Sequence, residues 1–138
     1  MQQSIESFLK MERMLNTLPV FKAFGAELSI RSPGEAIVKI ANIADIHLGG
    51  FQSTAINGMV IMGMLDSAMC AAAISQLDGK RSATVEISVK FIKAVIAQPI
   101  EARGIVLSRS RDIFYCQAAI SDSSNNLRAL ATGVVKEI

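Results

Sequence analysis

The sequence predicts an α+β fold in which a curved antiparallel sheet wraps around one long central helix, with a short helix ahead of it. Two features carry this expectation. Residues 57–77 form a nearly unbroken apolar run with no polar face, the pattern of a helix buried on every side. After residue 82 the chain reads as strand throughout, in four successive segments separated by turns. A helix without a polar face needs cover all round, and a sheet curling about it supplies that cover.

The elements follow in order. Ile5, Phe8, Leu9, Met11, Met14 and Leu15 recur at helical spacing within 3–17, with Ser4 as N-cap and Pro19 ending the pattern. A loop through Phe21 and Phe24 comes next. Residues 25–32 and 35–42 are short strands about the turn Ser32-Pro33-Gly34. Residues 43–56 read as irregular and contain His47 and Gly49-Gly50. The central helix runs over 57–77 and is closed by Asp78-Gly79. In 82–95, Val85, Ile87, Val89 and Phe91 alternate with Thr84, Glu86, Ser88 and Lys90. Residues 99–110 and 112–122 form a hairpin, and 127–137 form the last strand after the polar turn 122–126. Helix, two strands, long helix and four strands make the hotdog arrangement, whose open side a second subunit closes.

Length and composition narrow the function. The 138 residues suit one domain spanning 1–138, with no repeat, low-complexity tract or linker. Charged residues are 19% of the chain, below the customary quarter, so part of the surface is expected to lie in a subunit contact. The 14 Lys and Arg are scattered among 12 acids and make no basic stripe. With no Trp and a single Tyr there is no base-stacking platform, so a nucleic-acid partner is not expected. Cys70 and Cys116 belong to no CxxC and read as reduced packing residues. One His in the chain leaves no clustered donor set, so neither a metal nor a cofactor is expected. The start, MQQSIESFLKMER, lacks the basic and apolar regions of a signal peptide, which makes the cytoplasm the expected compartment. The apolar run 56–74 approaches the length of a membrane span, but Asp66 near its centre would be costly in a bilayer.

Asp66 is the residue most suited to chemistry. A carboxylate in an apolar helix is expensive unless solvated or paired, so it marks a place with water or a partner. There it can serve as general base or nucleophile toward an acyl carbonyl; the plainer reading is a carboxylate paired across a loop or subunit contact. Asn57-Gly58 stands at the helix start, where Asn caps and the first N–H groups have no partner. Gly58 lets a ligand oxygen approach, so these amides can form an oxyanion hole, or simply a capped helix end. Asp66 lies two turns beyond Gly58, about 12 Å along the axis. That is too far for both to act on one carbonyl within one helix, and it points to a site where Gly58 of one subunit faces Asp66 of the other.

The run Asn57-Gly58-Met59-Val60-Ile61-Met62-Gly63-Met64-Leu65-Asp66-Ser67-Ala68-Met69 resembles the helix motif of hotdog acyl-CoA thioesterases of the phenylacetate-degradation (PaaI-like) type: His-Gly-Gly, six residues, then Asp. Residues 83–91 resemble that family's long central strand and 129–133 its last strand. The resemblance implies hydrolysis of acyl-CoA to free acid and CoA in a homodimer or a dimer of dimers. Asp66 would then be the catalytic carboxylate, Gly58 the backbone donor, and Thr84 the hydroxyl that holds the attacking water. Two positions depart from the pattern. Asn57 replaces the His and cannot titrate near neutral pH, and Phe51 replaces an Asn six residues earlier. His47 could enter the pocket in place of the lost His; otherwise it is an ordinary loop residue. Lys80, Arg81, Arg109 and Arg111, at strand ends and turns, could hold CoA phosphates or be solvated charges. Met59, Met62, Met64 and Met69 pack the core, with Met62 placed along an acyl channel. Asn57 and Phe51 also admit a non-catalytic acyl-CoA or lipid-binding module. A dehydratase or hydratase would need a second acid beside His47, and only Asp45 is near in sequence.

Overall fold

The computed structural model describes residues 4–49, 53–78 and 80–138. Helix α1 spans Ile5–Asn16, α2 Pro19–Phe24 and α3 Gly58–Ile74; the strands are β1 Ala26–Ser32, β2 Glu35–Ile40, β3 Ser82–Phe91, β4 Ile100–Ser110, β5 Ile113–Ser121 and β6 Leu127–Glu137. All six strands form one antiparallel sheet in the order β1-β2-β4-β5-β6-β3.

Ser4 caps α1 by accepting from the Ser7 N–H. The loop expected after Pro19 is instead α2. Proline at the first helical position has the right φ and lacks only an N–H that would go unpaired there, and Gly25 ends the helix in the left-handed region at φ 60°. Helix α3 stops at Ile74, short of the expected residue 77, with Ser75 as its C-cap, still in the helical region and donating its N–H to Ala71 O at 3.0 Å. The buried Ser75 hydroxyl donates to Ala72 O and accepts from Gly34 N–H across the β1–β2 turn.

The concave face of the sheet is built from small residues. Ala36, Ala102, Ala118, Ala129 and Ala131 are all at most 1% exposed, so the helix backbone can lie close. Gly104 of β4 takes this furthest: a Cβ there would press into the backbone of Ala68 and stand 2.8 Å from Met69 N. Phe114, Leu65, Met69 and Val135 are among the larger side chains buried completely in this core.

Two expectations about cover and register are corrected. The helix is not buried on every side in the single chain. One stripe stays open, with Met59 77% and Met62 42% exposed beside Gly58 and Gly63. The strand expected over 82–95 ends at Phe91, after which the N–H groups of Ile92 and Lys93 both turn to Arg128 O. Nor is its alternation continuous. The β3–β6 register shifts between Thr84 and Glu86, so Val85 bulges out and is 62% exposed. The bulge puts Thr84 on the helix-facing side together with Ile87 and Val89.

Candidate active site

Asp66 sits half-buried on the open stripe of α3, and the bulge in β3 brings it a partner. Thr84 Oγ1 donates to Asp66 Oδ1 at 2.5 Å. Cys70, one helical turn beyond Asp66, places its sulfur 3.0 Å from Thr84 Oγ1 and 4.0 Å from Asp66 Oδ1. Burial pushes the Cys70 thiol up to about 11; the Thr84 hydrogen bond opposes that rise and the Asp66 carboxylate adds to it. The sulfur therefore carries its proton at neutral pH. Thr84 has one hydroxyl hydrogen, which goes to Asp66, so Cys70 S–H donates to Thr84 oxygen. All the donors run toward one carboxylate. Cys70, read from sequence as packing, belongs to this group, and the signal that could have found it is its i+4 spacing from Asp66.

At the helix start, Asn57 Oδ1 accepts from the N–H groups of Met59 at 2.8 Å and Val60 at 3.3 Å. Its Nδ2 donates to Leu48 O at 3.4 Å, so the amide is committed to capping. The Gly58 N–H is left without a partner among the described residues. The ring of Phe91 flanks it, since a Cβ on Gly58 would stand 3.4 Å from that ring. Sequence reasoning placed Phe91 on the strand but not at this position; only the β3–α3 packing reveals it.

The structure places His47 beside the start of α3, its carbonyl accepting from the Asn57 N–H at 2.8 Å, with its ring turned into the protein. It is 3% exposed, its Nδ1 accepts from the Ala44 N–H at 2.8 Å, and its Nε2 donates to Phe24 O at 2.7 Å. Both nitrogens are used, which defines the Nε2–H tautomer and ties the end of α2 to the loop. The imidazole therefore does not replace the family His in a pocket. Phe51 lies outside the described residues.

The four expected cations gather where α3, β3 and the β4–β5 hairpin end. Glu137 pairs with Lys80 at 2.5 Å and with Arg109 at 3.7 Å. Arg109 also donates to Arg111 O and Gln76 O, and stacks on Phe114 at 4.7 Å. Arg81 and Arg111 are exposed, with no side-chain partner among the described residues. Met62 lies on the open stripe rather than in the core. No helix among the described residues is long and apolar enough to cross a membrane.

Among solved structures, the chain is similar to the PaaI protein of E. coli from the phenylacetic acid degradation operon. Identity is 19%, 96% of this chain and 94% of that one are covered, and the TM-score is 0.83. A thioesterase from Haemophilus influenzae is 16% identical over 99% of this chain and 93% of that one, with a TM-score of 0.84. A phenylacetic acid degradation-related protein from Ralstonia eutropha is 20% identical over 96% and 99%, with a TM-score of 0.78. These likenesses show the hotdog fold. No curated protein matches in sequence. The family model of the thioesterase superfamily matches residues 54–129, which hold Asn57, Gly58, Asp66 and Thr84. That match spans more than half of the sequence, and the chain belongs to the thioesterase superfamily.

Proposed function

We propose that the protein hydrolyses acyl-CoA thioesters at a site shared between two copies of the chain. The observation that carries this reading is the Asp66 carboxylate, held by a hydroxyl at 2.5 Å on the uncovered stripe of an otherwise buried helix. Such a carboxylate can accept a proton from water or attack the thioester carbon itself. Thr84 orients it, and its oxygen can accept from the same water. The unpartnered Gly58 N–H at the positive end of α3 suits the developing oxyanion. In one chain Gly58 and Asp66 are two turns apart, so the reading pairs Gly58 of one protomer with Asp66 of its partner. Edge strand β3 supports such pairing. Among the described residues it pairs in the sheet with β6 alone, and it exposes Val85 and Phe91, the latter against Gly58 at the start of α3. Arg81 and Arg111 would meet the CoA phosphates, with Lys80 and Arg109 adding charge behind Glu137.

Thiol release from a series of acyl-CoAs tests the proposal. Asp66→Asn and Asp66→Ala are expected to lose turnover while keeping the circular dichroism spectrum and oligomeric mass of the parent. Full activity in Asp66→Ala would discard the mechanism. Binding of acyl-CoA with no thiol release from any member would favour the non-catalytic reading.

A further inference from the structure

A cavity of about 90 Å3 lies between α2, strands β1 and β2, and the first half of α3. Phe21 and Phe24 form one wall, Val38 and Ile40 the floor, and Met64 and Gly63 the helix side. Among the lining side chains only that of Ser67 is polar. Val20, 57% exposed, and Met59, 77% exposed, stand at the mouth.

Gly63 is the telling residue. Glycine inside a helix weakens it relative to alanine and is retained where something must come close. Gly104 and Gly133 meet that description: a Cβ on either would press within 3 Å of α3 atoms. A Cβ on Gly63 would meet nothing within 4 Å. No neighbour among the described residues requires the glycine, and its missing side chain leaves the cavity open. Asp66 follows three residues later, on the same side of the helix and about 5 Å further along. A thioester whose tail enters the cavity past Gly63 would thus leave its carbonyl at the carboxylate.

Resting on the hydrolase reading above, we infer that this cavity is the acyl subsite and that Gly63 sets its length, selecting short-chain acyl thioesters. An apolar cavity of about 150 Å3 holds a benzene ring, so about 90 Å3 suits a tail of about four carbons. The α2 wall of the cavity is held in place by the His47 bond to Phe24 O.

Binding of S-alkyl-CoA thioethers of increasing chain length, read by calorimetry on the full chain, tests the subsite independently of turnover. Affinity is expected to rise about fourfold per methylene up to about four carbons and then level off. Gly63→Leu is expected to flatten that rise while affinity for the shortest thioether holds. Gly63→Ala, which favours the helix, is expected to shorten the rise by about one methylene. A rise unchanged in both variants, or dissociation of the oligomer by Gly63→Leu with the rise intact, would overturn the inference; the latter would assign the space to the partner copy. Chain-dependent binding without thiol release would refute hydrolysis alone, and thiol release indifferent to both substitutions would refute the subsite alone.

Discussion

Replacing Thr84 with valine removes one hydroxyl and keeps the branched shape that the β3 bulge presents to α3. The carboxylate of Asp66 then loses its 2.5 Å donor, and the remaining neighbour, the Cys70 sulfur, is 4.0 Å away. Leaving a charged acceptor short of a partner costs about 1–3 kcal/mol, and because Asp66 is only half-buried the lower part of that range applies, about 1–2 kcal/mol. A chain of 138 residues unfolds with an entropy of about 0.29 kcal/mol/K, at roughly 2.1 cal/mol/K per residue. The expected fall in Tm is therefore about 3–7 °C, measured by circular dichroism at matched protein concentration so that subunit association does not intrude. Thr84→Ser keeps the hydroxyl and should recover more than half of the loss. If Asp66 is the reacting carboxylate, valine should also lower kcat by about tenfold or more, a barrier increase of about 1.4 kcal/mol. A Thr84→Val protein as stable as the parent would show that the hydrogen bond contributes nothing and would remove the argument for an oriented carboxylate.

His47→Ala leaves Phe24 O and Ala44 N–H without their ring partner in a part-buried place, so a loss of about 1–2 kcal/mol is expected in urea denaturation; an unchanged midpoint would contradict the locking role. Gly104→Ala drives a methyl into the backbone of α3 at Ala68 and Met69, and overpacking of that kind costs about 3 kcal/mol or more; a thermal midpoint within about 2 °C of the parent would show that the helix can move aside. The Cys70 thiol, at about 11 in the fold against 9.0 for an unperturbed thiol, stays protonated in the native state while the unfolded chain releases its proton. Stability from this group is therefore complete below about pH 9 and lost as pH climbs through about 11, a slope that Cys70→Ser should reduce in denaturation measured across that window. Alkylation of native Cys70 should be slow at pH 8 and quicken toward pH 11, and rapid labelling at pH 7 would contradict a buried, protonated thiol.

The order of the main elements, the largely buried central helix and the lone acid Asp66 within it were legible in the sequence, because each rests on local pattern. An apolar run without a polar face means burial, alternation means strand, and one acid amid apolar residues stands out whatever surrounds it. Asn57 as N-cap and the turn at Arg111, which adopts φ 57°, are local in the same way. The pairing of β3 with β6 rather than β4, the bulge at Val85 that turns Thr84 onto the helix, and the approach of Cys70 and Phe91 came only with the tertiary structure. Period-two alternation cannot reveal a bulge, since inserting one residue leaves the pattern on either side intact while reversing which face it meets. His47 shows the same limit: its type suggested chemistry, and only the positions of Phe24 O and Ala44 N–H, brought close by folding, decided that it holds the fold together.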